Sequence, residues 1–329
     1  DSLTSIDTSK FDTSKVTDMS YMFQDCNNIQ KLDLSNFDTT NVRDMSYMFD
    51  FDTKLNTINL NNFKTKNVKK MVGMFSRLLA LTSLDVTKFD TSSVEDMTNM
   101  FINCKALTQI DLSNFNTEKV EKMSSMFSGC SKLTSINLKN FDTKNVEFMD
   151  LMFSQCTSLV SLDLSHFYTP NVILFNDMFS YCSELANLDI SNFDTSSSTS
   201  FSKMFQNCKK LKNLKLSKFK TSKVTNMAFM FQYCIELTSL DLSSFDTSQV
   251  LVMTSMFEQC NSLEKLILNF DTKNTRDMGS MFVYCQKLTS LDLSSFIPSK
   301  VADFSNMFDH CTSLKYLDIS NFDTSEAVL

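Results

Sequence analysis

The sequence predicts an α/β repeat solenoid of about twelve 26-residue strand-helix units, with one parallel sheet and short helices on the opposite face. Three observations predict it. The dipeptide Met-Phe occurs twelve times, its Phe falling at Phe23, Phe49, Phe75 and onward to Phe308, always 26 residues apart except for the 25 between Phe257 and Phe282. A fixed period of this size is the signature of stacked repeats. Within each unit a short alternation, as in Leu159, Leu162, Leu164 and Phe167, suits a strand of about five residues with one buried face. After it comes a spacing of 0, 3, 6, 7 and 10, as in Val16, Met19, Met22, Phe23 and Cys26, which reads as the apolar stripe of a helix about ten residues long.

Taken in chain order, the strand is followed by F-D-T-S/K, as in Phe11-Asp12-Thr13-Ser14 and Phe245-Asp246-Thr247-Ser248. Asp, Thr and Ser accept hydrogen bonds from the free N–H groups of a first helical turn, so this segment is expected to cap the helix. The Met-Phe pair then lies on the buried stripe. Phe fills the space between layers while flexible Met adapts to the gaps beside it, which places Met22, Phe23, Met126, Phe127, Met256 and Phe257 in the expected core. All 21 Met fall in two columns, the one before this Phe and the one three residues earlier. A strand and a helix this short bury nothing alone, and stacking supplies the core. With three Gly, two Pro and no charge block to act as a linker, residues 1–329 are expected to form a single solenoid with partial units at both ends.

Ten cysteines raise the question of disulfides, and their spacing argues against them. All ten occupy one column three residues after the repeated Phe, nine of them, including Cys130 and Cys156, on consecutive rungs, and Asp52 and Leu78 separate Cys26 from the rest. A column that accepts Leu is expected to hold buried free thiols acting as small hydrophobes. No C-x-x-C pair and only two His argue against zinc. The net charge of -7 disfavours general nucleic-acid binding, and no apolar run approaches the roughly 18 residues of a membrane span. The polar start DSLTSIDTSK has neither the basic tip nor the apolar centre of a signal peptide, consistent with numbering that begins after a removed signal or inside a longer protein.

The string 237-LTSLDLSSFDTSQVLVMTSMFEQC-260 resembles the 26-residue repeat of bacterial surface proteins, a branch of the BspA-like leucine-rich-repeat family, and the resemblance covers essentially the whole chain. It implies a right-handed leucine-rich-repeat-like solenoid on a bacterial exterior, carried by a lipoprotein or wall anchor, with adhesion as its use. Departures are Asp52 and Leu78 for Cys, Ser198 and Thr275 for Val, Ile297-Pro298 for Asp-Thr, and a lost residue near 266-LILNFDT-272.

Chemistry of the catalytic kind finds no residues. His166 and His310 stand in distant units without a recurring acid or nucleophile, and no glycine-rich phosphate loop exists. Function is expected on the outward strand column, which holds Asp33, Asp85, Asp111, Asp163, Asp189, Asp241, Asp292 and Asp318, interrupted by Asn59, Asn137, Lys215 and Ile267. Carboxylates about 4.8 Å apart repel one another and attract cations or a basic partner. Calcium is the one cofactor alternative, against which the interruptions count. A second candidate is the lysine-rich unit 209-KKLKNLKLSKFKTSK-223, with Lys212, Lys215 and Lys218 on or beside the face. The expected partner is a surface protein or glycan of a host or neighbouring cell; the alternative is a structural spacer or lattice element that associates end to end.

Overall fold

The computed structural model describes residues 2–325 of the 329-residue chain. The chain forms two compact units, Asp1–Leu162 and Asp163–Leu329. Each is a parallel β-solenoid whose coils are one sequence repeat long. The coil at residues 107–132 shows the plan. Its most deeply buried side chains are Leu107, Ile110, Leu112, Phe115, Thr117, Val120, Met123, Met126, Phe127 and Cys130, all between 0% and 6% exposed.

Strand regions come first in each coil. The assigned strands are β1 (Lys31–Asp33), β2 (Thr57–Asn59), β3 (Ser161–Asp163), β4 (Asn187–Asp189), β5 (Ser239–Asp241), β6 (Lys265–Ile267), β7 (Ser290–Asp292) and β8 (Tyr316–Asp318). In the first unit β1 pairs with β2 in parallel, Leu32 opposite Ile58. In the second, β5 pairs with β6 and β7 with β8 in the same register of one repeat. These strands have three residues where the alternation suggested about five, and the cause is local. The third strand residue, such as Asp33, accepts the N–H of Ser35 through its Oδ1 at 3.0 Å, closing an Asx turn that diverts the chain.

The short helices expected opposite the sheet do not form; among the described residues there is no helix. The Met-Phe segment is instead a succession of turns. Met126 N–H donates to Met123 C=O, Ser128 to Ser125 and Cys130 to Phe127, each three residues back. The residues between them donate out of the coil: Met123 to Phe148, Ser125 to Asp150, Phe127 to Met152 and Gly129 to Ser154, at 2.7 to 2.9 Å. A helix would direct these bonds along its own axis to the carbonyl four residues back. Two positions per coil also reverse the backbone twist, here Ser125 (φ 56°) and Gly129 (φ 74°). One left-handed residue every four interrupts any right-handed helix.

Phe-Asp-Thr-Ser is correspondingly not a helix cap. Asp38 Oδ1 accepts the N–H of Thr40 at 3.0 Å, another Asx turn. The Thr beside it faces inward. Thr117 is 1% exposed; its hydroxyl donates to Asp142 C=O at 2.9 Å and accepts Asp142 N–H at 2.8 Å, tying two coils together. A third Asx turn follows at Asp44, which receives the Ser46 N–H at 2.9 Å. Three corners turned by Asp-x-Ser/Thr explain how a chain with three Gly builds so many reversals.

The core is a set of ladders. Phe101, Phe127 and Phe153 stack with centroids 5.6 and 5.7 Å apart and planes within 9° of parallel. Met126, Met256 and Phe257 are fully buried and Phe23 nearly so, whereas Met22 is 39% exposed. All ten cysteines are free. Cys130 Sγ donates to Phe101 C=O of the preceding coil at 3.1 Å, and Cys156 to Phe127 at 3.2 Å. Each thiol therefore adds a hydrogen bond as well as filling space.

Candidate functional site

The outward strand residues form an exposed acidic row in each unit: Asp33, Asn59, Asp85, Asp111 and Asn137 in the first, and Asp163, Asp189, Lys215, Asp241, Ile267, Asp292 and Asp318 in the second. Each Asp or Asn in this row accepts the backbone N–H two residues on, as Asp111 does from Ser113 at 2.9 Å and Asn59 from Asn61 at 3.2 Å. The Asx bond holds Asp33 below the usual carboxylate range, chiefly through the Ser35 N–H. For Asp163 and Asp241 the Ser165 and Ser243 hydroxyls contribute most, backbone N–H groups next. The row is thus ionised and held in fixed orientation. Among the described residues no group of three or more His, Cys, Asp or Glu is gathered to hold a metal.

The lysine-rich unit divides. Lys210 and Lys212 both reach Glu236, at 2.8 and 3.5 Å, and Lys220 reaches Asp194 at 3.6 Å. Lys215 stands in the acidic row and its charge lowers the Asp189 carboxyl further, after the Ser191 hydrogen bonds. Lys218 forms no ion pair among the described residues.

Lys218 instead borders a groove of about 580 Å³ with His166, Tyr168, Asn192, Asp194 and Lys220. Its floor is the buried Phe193. His166 and Lys218 stand where other coils place an Asn whose amide bridges to the preceding coil, as Asn114 does to Phe89 C=O at 2.6 Å. Tyr168 and Lys220 stand in the column of Asx-turn Asp residues such as Asp38 and Asp90.

A second departure lies in the first unit. Asp50, fully buried, receives both Arg77 Nε at 2.9 Å and an Arg77 terminal nitrogen at 2.6 Å, and Gln24 Nε2 at 2.9 Å. Asp52 replaces a ladder Cys, is 1% exposed, and accepts the Cys26 N–H at 2.7 Å. Burial pushes its carboxyl up to about 7, against the pull of that hydrogen bond. His310 forms no pair with its neighbouring thiol: Nδ1 lies 2.8 Å from Asp309, while Cys311 Sγ donates to Phe282 C=O.

The sequence pattern of the family described as "Mycoplasma protein of unknown function, DUF285" matches residues 2–85, 78–187, 160–240, 177–287 and 235–328. The chain belongs to the DUF285 family. No curated protein matches it. Solved structures similar to this DUF285 chain include a leucine-rich repeat protein from Bacteroides ovatus, 18% identical over 92% of this chain and 78% of that one, with a TM-score of 0.36. The leucine-rich repeat protein of T. pallidum is 19% identical over 59% of this chain and 72% of that one, TM-score 0.33. A leucine rich cell surface protein from Faecalibacterium prausnitzii is 19% identical over 73% and 79%, TM-score 0.33.

Sequence reasoning singled out Lys218 only as one lysine of a cluster, treated His166 as isolated, and passed over Tyr168. The signal lay in aligning the DUF285 repeats on themselves: His166 with Tyr168, and Lys218 with Lys220, depart from the same two columns. Arg77 was invisible because its partner Asp50 lies in an otherwise unremarkable column of small and polar residues.

Proposed function

We propose that this chain is a non-enzymatic interaction module of a bacterial cell surface, binding a protein or glycan through its exposed polar, acidic sheet face. The observation that carries the reading is the ionised row itself, held outward in each unit by Asx turns and flanked by Ser, Thr and Asn. Pre-ordered charge costs little entropy on binding, and a repeated row presents an extended surface of the kind solenoids use. The surface location rests on the family resemblance in the repeat motif. The test is immobilised chain against a panel of secreted glycoproteins and purified glycans, with Asp85→Asn/Asp111→Asn/Asp241→Asn as the variant. Asn59 and Asn137 keep the same turn without charge, so this variant retains the fold. A binder that loses about tenfold affinity to the variant supports the face; binding indifferent to it refutes the assignment.

A further inference from the structure

Four positions in the second unit abandon a structural duty together. In the coils of β3 and of residues 211–219, the Asn that bridges coils is replaced by His166 and Lys218, and the Asp that closes the next corner by Tyr168 and Lys220. The coil between them keeps both duties: Asn192 Nδ2 donates to Ser165 C=O, and Asp194 accepts the Ser196 N–H at 3.1 Å. Losses in these two columns occur in other coils too, as at Lys64, Lys88 and Ile297, but here four of them line one groove of about 580 Å³ and set a tyrosine and a histidine beside two lysines.

We propose that this groove binds an acidic saccharide, a glycan segment bearing carboxylate or sulfate groups. The inference rests on the reading of the chain as a binding module, but on different residues from the sheet face. Tyr168 is 53% exposed and offers an aromatic face on which the C–H side of a sugar ring packs. Lys218, exposed and in no ion pair among the described residues, supplies the cation for an acidic substituent, while Lys220 is drawn to Asp194 and shares its charge with that carboxylate. His166 and Asn192 add polar groups to the lining, suited to sugar hydroxyls. Two ammonium groups offset by one carboxylate suit a sparsely charged chain. A nucleic acid, with a phosphate at every nucleotide, would meet in addition the repulsion of a protein carrying a net charge of -7.

The experiment titrates the full chain by calorimetry with hexasaccharides of chondroitin sulfate and of hyaluronan, a neutral glucan hexamer, and a single-stranded oligothymidine. The test variant is His166→Asn/Tyr168→Asp/Lys218→Asn/Lys220→Asp, which installs the residues that other coils carry and so preserves folding, checked by its thermal transition. The control, Lys64→Asp/Lys88→Asn, makes the same kinds of exchange beside Asn62 in the first unit. Expected is one acidic hexasaccharide per chain, the sulfated and the carboxylated probes separating the two acid types, with affinity lowered about tenfold or more in the test variant and within about twofold in the control. Absence of binding by both acidic probes, equal affinity of the test variant, or equal binding of oligothymidine would overturn the assignment. A lost groove with an intact response to the sheet-face Asn variant would leave the proposed function standing, so the two failures are distinguishable.

Discussion

Thr117→Val removes the hydroxyl that joins two coils while leaving the side-chain shape unchanged. Asp142 then loses a donor partner for its C=O and an acceptor for its N–H, both made by the same oxygen at 2.9 and 2.8 Å. Each partly buried backbone group left unpaired costs roughly 1–3 kcal/mol, and partial hydration of the half-buried Asp142 puts the pair at about 2–4 kcal/mol. Thr117→Ser keeps both bonds and removes one buried methyl group, a loss of about 1 kcal/mol. A capping Thr behaves differently: Ser replaces it without loss and Val costs about 1 kcal/mol. Urea unfolding of the three proteins, read as midpoint shifts at constant slope, separates the two cases. A Val variant within about 1 kcal/mol of the parent, or a Ser variant as damaged as the Val variant, refutes the inter-coil role.

Four further outcomes follow from named contacts. Asp52 has a folded value near 7 against 3.8, so the native state holds a proton that the unfolded chain has lost. Stability should therefore decline as pH rises from about 4 to about 7, by up to roughly 4 kcal/mol, and Asp52→Asn should flatten that slope in urea titrations across pH. The sheet-face carboxylates carry the opposite sign: Asp33 and Asp163 lie below their ordinary value, so their contribution is complete above about pH 4 and disappears as pH falls through the folded values, giving an acid limb that Asp→Asn exchanges reduce. Thiol labelling of the native chain should reach Cys26 and Cys311, both half-buried, well before the eight buried thiols, of which Cys104 is pushed up to about 12 by burial; prompt reaction at Cys130 or Cys156 would contradict the ladder. Leu151 adopts φ 59°, so Leu151→Asn should raise the melting temperature by relieving about 1 kcal/mol of backbone strain.

Much of this architecture was legible in the sequence, and the part that was not has a physical reason. The period, the Phe ladder and the Cys column follow from equivalent positions needing equivalent neighbours. The helix was misread because Val120, Met123, Met126, Phe127 and Cys130 have the spacing of a helical stripe, yet a run of turns that brings every third or fourth residue inward has the same spacing. The usual warning, Gly at left-handed positions, is given only at Gly73 and Gly129 among the described residues: elsewhere non-Gly residues such as Tyr47, Phe51, Leu151 and Phe229 occupy them. Those strained residues are tolerated because each belongs to a segment fixed by bonds to the neighbouring coil, as Tyr47 is by its N–H to Val72 C=O. Asp-x-Ser/Thr was visible up to three times in a unit, but one pattern was assigned to capping and another to a free acidic face. Both are Asx turns. The groove escaped because charge was read along the chain, as one run of lysines, when its meaning lies across coils, where Tyr168 and Lys220 share a column.

The central claim is that turns bonded coil to coil, with no helix, form the wall opposite the strands. Far-ultraviolet circular dichroism of the purified chain tests it most directly. The account predicts a spectrum without the helical double minimum, because no described segment makes bonds to the carbonyl four residues back. A spectrum showing about ten helical residues in every 26, the content that the apolar stripe alone suggests, would contradict it.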